Sequence, residues 1–295
     1  MNRFHRRSVL TAGAALLGAT TLARAQGHAR QIPAGPLRST KTRFAANIEM
    51  WWGKLPYPDR IRAAHEQGFS AFEIWPWRGK DLDAILAAMA QTGMICTQFT
   101  GWGFVPGMND PANHDKLEQE IKDGCAAAKK LGTKMMCVVA GNDIPGKSQA
   151  EMHDTVIAGL KRVAKIAEDN DITLLLEPMN IRVDHKGHCL YGSEAGVRIC
   201  RAVGSPFVKV LWDLYHMQLS EGDLCGHLKD GFDCLGYAQM ADTPGRHEPG
   251  TGEVNYARVL KQLHELGYRG FVGMECWPLV DEETAAKRIA EADSW

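Results

Sequence analysis

Beginning at Thr42, short apolar runs rich in β-branched and aromatic residues alternate eight times with amphipathic segments. The runs cover residues 43–48, 71–75, 94–99, 134–139, 172–177, 208–213, 236–241 and 270–275. Between them, residues 59–67, 81–91, 114–131, 150–170, 193–203, 222–231 and 256–266 repeat apolar side chains every three or four positions, and 284–292 closes the series. Short, near-continuous apolar runs read as parallel strands buried on both faces, and the periodic segments as crossover helices. Eight such units in about 250 residues predict an α/β fold, a single (β/α)8 TIM barrel domain over residues 42–295. A doubly wound open sheet is the alternative, but no glycine fingerprint for a dinucleotide follows the first run. Gly68, Gly93, Gly132 and Gly267 each stand between a predicted helix and the next strand, where a left-handed residue is common.

The N-terminal residues do not belong to this pattern. Arg6-Arg7-Ser8-Val9-Leu10 opens a weakly apolar stretch that ends on Ala23-Arg24-Ala25. This predicts a twin-arginine signal peptide over residues 1–25, followed by a linker over 26–41. The apolar stretch is too short for a membrane anchor. The expected protein is exported, periplasmic and free of the membrane after cleavage. The eight cysteines form no C-x-x-C pair and read as buried free thiols. A formal net charge of −1 gives no electrostatic footing for nucleic acid. A small molecule is the expected partner.

Four predicted strands end on a polar residue: Glu177 in TLLLEPMN, Asp213 in VKVLWDLYH, Gln239 in LGYAQMAD and Glu275 in GFVGMECW. A barrel presents its C-terminal strand ends to one face, the active-site face. Three carboxylates and an amide therefore converge. Such a cluster is unfavourable unless a cation occupies it, and an all-oxygen donor set suits Mg²⁺ or Mn²⁺. One such residue alone is as often a helix cap or an ion-pair partner; four on consecutive strands point to a metal site. His216, three residues past Asp213, and Arg246, in a Pro-Gly-Arg turn, are predicted to contact substrate. Trp51, Trp52, Trp75, Trp77, Trp102 and Trp277 fall on the same rim, either capping the core or forming an apolar wall against a polyol. His185 and His188 read as ordinary loop residues, and Glu73 carries no assignment.

Glu177 and Glu275 come from the fifth and eighth strands and can flank a ligand. With a cation on a carbonyl and its neighbouring hydroxyl, one carboxylate removes the proton from the carbon between them and the other returns one. Return to the adjacent carbon is aldose–ketose isomerisation. Return to the opposite face of the same carbon is epimerisation.

Through LLLEPMN, VLWDLYHMQ, QMADTPGRHEPGTGEVNY and GFVGMEC the chain resembles the hydroxypyruvate isomerase family. That family lies in the xylose isomerase-like barrel superfamily, with ketose 3-epimerases and endonuclease IV. The resemblance implies that Glu177, Asp213, Gln239 and Glu275 hold a divalent metal and that Glu177 and Glu275 exchange the proton. It implies that His216 contacts a substrate oxygen and that Arg246 belongs to the substrate pocket. The implied reaction interconverts hydroxypyruvate and 2-hydroxy-3-oxopropanoate (tartronate semialdehyde). Gln239, where ketose 3-epimerases carry histidine, points to the isomerase branch. Assembly into a homo-oligomer is compatible with the resemblance. The loops GWGFVPGMNDPANHDK and IRVDHKGHCLYG differ from that branch, which keeps open a ketose 3-epimerase, or an isomerase or epimerase of an oxidised sugar. A non-catalytic periplasmic sugar-binding protein is the reading from another class; the paired glutamates speak against it. A phosphodiesterase of the endonuclease IV type would need more strand-end histidines.

Overall fold

A computed structural model describes residues 35–295. The twin-arginine segment, its cleavage site and most of the expected linker lie outside the described residues. Eight parallel strands close into a barrel in chain order. They are β1 (Arg43–Asn47), β2 (Ala71–Pro76), β3 (Ile95–Trp102), β4 (Met135–Val139), β5 (Thr173–Glu177), β6 (Val208–Asp213), β7 (Leu235–Gln239) and β8 (Phe271–Met274). Helices α1 (Tyr57–Glu66), α2 (Leu82–Thr92), α3 (His114–Leu131), α4 (Gln149–Asn170) and α5 (Ser193–Val203) follow the first five strands.

Local chemistry sets the helix limits. The Asp81 carboxylate accepts the Ala84 N–H at 3.0 Å to start α2, which ends at Gly93 with φ +74°. Ser148 and Glu151 form a reciprocal capping box at the start of α4. The crossover after β6 differs from expectation. It holds two helices, α6 (Leu214–Ser220) and α7 (Leu224–Gly231), where the sequence predicted one. Leu214, Tyr215, His216 and Met217 are buried in succession and the helix has only 7 residues, too few to show a readable period. Helices α8 (Tyr256–Glu265) and α9 (Glu282–Ala292) complete the outer ring.

Two apolar clusters hold the layers together. The larger lies between strands and helices, with Phe72, Phe99, Leu176 and Trp212 among its members. The smaller fills the barrel and includes Ala45, Leu175, Leu211, Tyr237 and Phe271. At the base, the Arg43 guanidinium lies 3.8 Å from the Phe271 ring centroid. Nearby, Asp293 accepts the Thr42 N–H at 2.8 Å and its hydroxyl at 2.6 Å. Leu37, from the end of the expected linker, is buried against this region. All eight cysteines are unpaired, and seven are buried. No helix among the described residues is long and apolar enough to cross a membrane.

Candidate active site

The C-terminal strand ends bring the predicted residues to one place. Asp213 of β6 pairs in register with Gln239 of β7, and Gln239 with Gly273 of β8. Glu275 follows β8 directly rather than ending it. Glu177, Gln239, Glu275, His216 and Arg246 line a cavity of about 520 Å³. Asp213 is fully buried and is tied to the cavity by Arg246, whose guanidinium donates to its Oδ2 at 3.3 Å.

Burial and crowding control the charges. Burial, then the charges of Glu275 and Asp213, push Glu177 well above the usual carboxylate range. Burial likewise raises Asp213 to about 7, with Glu275 adding to the rise and Arg246 opposing it. The Arg246 guanidinium also donates to Glu275 Oε2 at 2.8 Å. The other oxygen of Glu275 accepts the Trp75 indole N–H at 2.7 Å and an Asn47 amide N–H at 3.3 Å. The Cys137 thiol donates to Glu177 Oε2 at 3.3 Å.

His216 has a defined tautomer. Asn180 Oδ1 accepts the backbone N–H groups of Val183 and Asp184, at 2.9 and 3.3 Å. The Asn180 amide N–H therefore faces His216 Nδ1, at 2.7 Å, and that nitrogen must accept. Burial holds the ring neutral, well below its ordinary pKa, so its proton sits on Nε2. This nitrogen lies 3.4 Å from Asp213 Oδ2 and 3.9 Å from Glu177 Oε1. Glu177, Asp213 and His216 offer ligand atoms all within 4.8 Å of one another. With hydrogen on Nε2, His216 enters the group as a donor rather than a metal ligand.

A fourth buried carboxylate, Glu73 of β2, organises the floor. Its Oε1 accepts amide N–H groups from Gln239 at 2.7 Å and Asn47 at 3.0 Å, and its Oε2 accepts from Gln98 at 3.3 Å. Both glutamines thus turn their NH₂ groups inward. Their Oε1 atoms are buried without a partner among the described residues. An orphaned carbonyl oxygen beside three buried carboxylates is the donor set of a hard cation. Glu177 and Asp213 belong to the cluster of buried ligand atoms found among the described residues, and the free oxygen of Gln239 is of the kind that suits a divalent ion.

The six rim tryptophans divide. Trp75, Trp77 and Trp102 line the cavity. Trp51 is a core residue whose indole N–H bonds the Met274 carbonyl at 3.1 Å, and Trp52 packs edge-on to Phe69. Trp277 is 46% exposed outside the cavity. His185, read as an ordinary loop residue, also lines the cavity, with its ring centroid 5.2 Å from that of His216. Sequence named Glu73 without assigning it a role, and gave none to Asn47, Gln98 or Asn180. Glu73 and Gln98 lie inside strands where nothing marks which polar residue faces inward; Asn47, the last residue of β1, and Asn180, three residues past Glu177, carried a positional signal.

Comparison with known proteins agrees with the barrel fold. Residues 61–292 match the family model described as xylose isomerase-like TIM barrel. A hydroxypyruvate isomerase from Escherichia coli (strain K12) is 31% identical over 251 residues, spanning 83% of this chain and 97% of the relative. A 2-oxo-tetronate isomerase from Cupriavidus necator is 32% identical over 243 residues, spanning 80% of this chain and 93% of the relative. A crystal structure described as AP endonuclease, family 2, from Brucella melitensis superposes with a TM-score of 0.80 at 27% identity, covering 85% of this chain and 98% of that one.

Proposed function

The chain belongs to the hydroxypyruvate isomerase family of xylose isomerase-like TIM barrels, and from that premise we propose that Glu177 and Glu275 carry a proton between carbons of a hydroxy-carbonyl substrate. Its relatives make it an enzyme of the aldose–ketose isomerase kind. The observation that carries the proposal is the placement of two buried carboxylates, rooted three strands apart, on one cavity with the free oxygen of Gln239.

A divalent cation held by Glu177, Asp213, Gln239 and Glu275 would polarise the carbonyl and make the neighbouring C–H acidic. Mg²⁺ and Mn²⁺ both suit these ligands. The chain's own residues supply the rest. Burial and the neighbouring charges hold Glu177 above the usual carboxylate range, the direction that favours a general acid or base. Glu275 is held from one side by Trp75 and Asn47 and from the other by Arg246. The Nε2–H of His216 is a fixed donor for a substrate oxygen, steadied by Asn180. Interconversion of hydroxypyruvate and 2-hydroxy-3-oxopropanoate is one reaction of this type. Epimerisation uses the same two carboxylates with a different substrate pose.

The test is hydrogen exchange in D₂O with Mg²⁺-loaded protein, followed by NMR on hydroxypyruvate and on neutral ketoses. Deuterium should enter the carbon next to the carbonyl, and removal of the cation should stop it. A sugar-binding protein without catalysis would bind and leave every C–H in place.

A further inference from the structure

We propose that the outer half of the cavity is a subsite for an uncharged, sugar-sized hydroxy-ketone, whose reacting carbons alone reach Glu177 and Glu275. This rests on the proton-transfer reading above and adds the substrate class to it.

Size is the first argument. A cavity of about 520 Å³ lies in the range of roughly 300–1,000 Å³ that encloses whole ligands of many atoms. A three-carbon acid leaves most of it unfilled. The lining is the second. Away from the carboxylates the wall is Trp77, Trp102, Phe104, Val105 and Pro106, from the end of β3 and the loops after β2 and β3. Phe104 stacks on His185 with centroids 4.9 Å apart, and His185 meets His216 edge-on. The aromatic surface is therefore continuous with the reacting end. Indole and phenyl faces pack well on the C–H faces of a sugar ring.

Polar matching is the third argument. Trp102 Nε1 and Gln98 Oε1 belong to buried, cavity-lining residues and have no hydrogen-bond partner among the described residues. One donor and one acceptor left open is the complement of a hydroxyl group. Charge is the fourth. Arg246 is engaged by Asp213 and Glu275. Arg78 is engaged by Glu120 at 2.8 Å and Asp123 at 2.6 Å, and Lys116 lies exposed at the outer rim. The aromatic wall therefore presents no buried, uncommitted cation to a carboxylate or phosphate among the described residues.

The experiment compares deuterium exchange on three probes with the Mg²⁺-loaded protein: hydroxypyruvate, D-fructose, and a methyl glucopyranoside oxidised to a ketone within the ring. Binding of each is read in parallel from indole fluorescence. At least one neutral sugar should exceed hydroxypyruvate in kcat/KM by about tenfold or more, the worth of one well-made polar contact. Trp102→Phe, which keeps a ring and removes the N–H, and Trp77→Ala, on a half-buried residue, should each collapse that ratio toward one through KM. Faster exchange on hydroxypyruvate than on both neutral sugars overturns the subsite and leaves the proton-transfer reading intact. A neutral sugar that quenches fluorescence without exchanging supports the subsite and overturns the reaction. Neither binding nor exchange of any probe overturns both.

Discussion

Gly273 and Glu73 show how one missing side chain makes room for a buried charge. A Cβ on Gly273 would lie 2.4 Å from Glu73 Oε2 and 2.7 Å from its carboxyl carbon, so the carboxylate occupies space that only glycine leaves open. From there it turns Gln239 so that the amide oxygen is free. Glu73→Ala should therefore weaken Mn²⁺ binding about 10–100-fold, the usual effect of removing a group that orients a ligand, as measured by titration calorimetry. In a Gln239→Ala background the same substitution should add little; an undiminished loss there would refute the orienting role. Glu275→Gln should retain part of the cation affinity and lower kcat by about 10²–10⁴. Parental turnover in that variant would remove Glu275 from the proton path. Sequence made Glu177, Asp213, Gln239 and Glu275 legible because each closes an apolar run. Glu73 and Gln98 were not legible as a pair: each sits within a run, and their meeting depends on how strands turn about the barrel axis.

The segment that carries Arg246 is built around one carboxylate. Asp242, fully buried, accepts backbone N–H groups from Thr243, Gly250, Gly252 and Val254 at 2.9–3.1 Å. Glu248 fastens the same segment to α9 through Arg288 at 2.6 Å and to the Leu279 N–H at 2.9 Å. Within this frame Arg246 adopts φ +58°, a left-handed conformation unusual for a residue with a side chain. That conformation accompanies the reach of its guanidinium to Asp213 and Glu275. Asp242→Ala strands four N–H groups and should cost on the order of 3 kcal/mol or more. Thermal melting would show the loss, and KM should rise as Arg246 drifts; unchanged melting and kinetics would mean the segment is held by other contacts. The Pro-Gly-Arg and Pro-Gly-Thr-Gly sequence was readable as a fixed path, since turn residues announce themselves locally. Helix α6 was not, because seven residues, the first four all buried, are too few to show the alternation that marks a helix.

At the scale of the whole molecule, the clustered carboxylates couple folding to pH and to cations. Burial, reinforced by Glu275, raises Glu73 from 4.5 to about 7, and Asp213 rises from 3.8 to about 7. In the unfolded chain both titrate near pH 4. Because the folded values are the higher ones, their stabilising contribution is complete below about pH 4 and is lost as pH climbs through about 7. The cation-free protein should lose this contribution across that interval. A divalent ion binds the ionised forms, so its effect on Tm should grow from pH 5 to pH 8. Melting curves in EDTA and in Mg²⁺ at both pH values test this; an equal rise at the two would contradict it. The barrel itself was legible because its eightfold period is a property of the chain, whereas the cavity's shape arises only when eight loops are assembled. One consequence follows from the base of the barrel, where Asp293 holds Thr42. The two extremities of the folded domain meet at the pole away from the reacting groups. A circularly permuted chain, with these extremities spliced and new ones opened in a base-side helix–strand turn, should keep its chemistry. Tethering the protein to a solid support through that splice would leave the mouth turned toward the liquid.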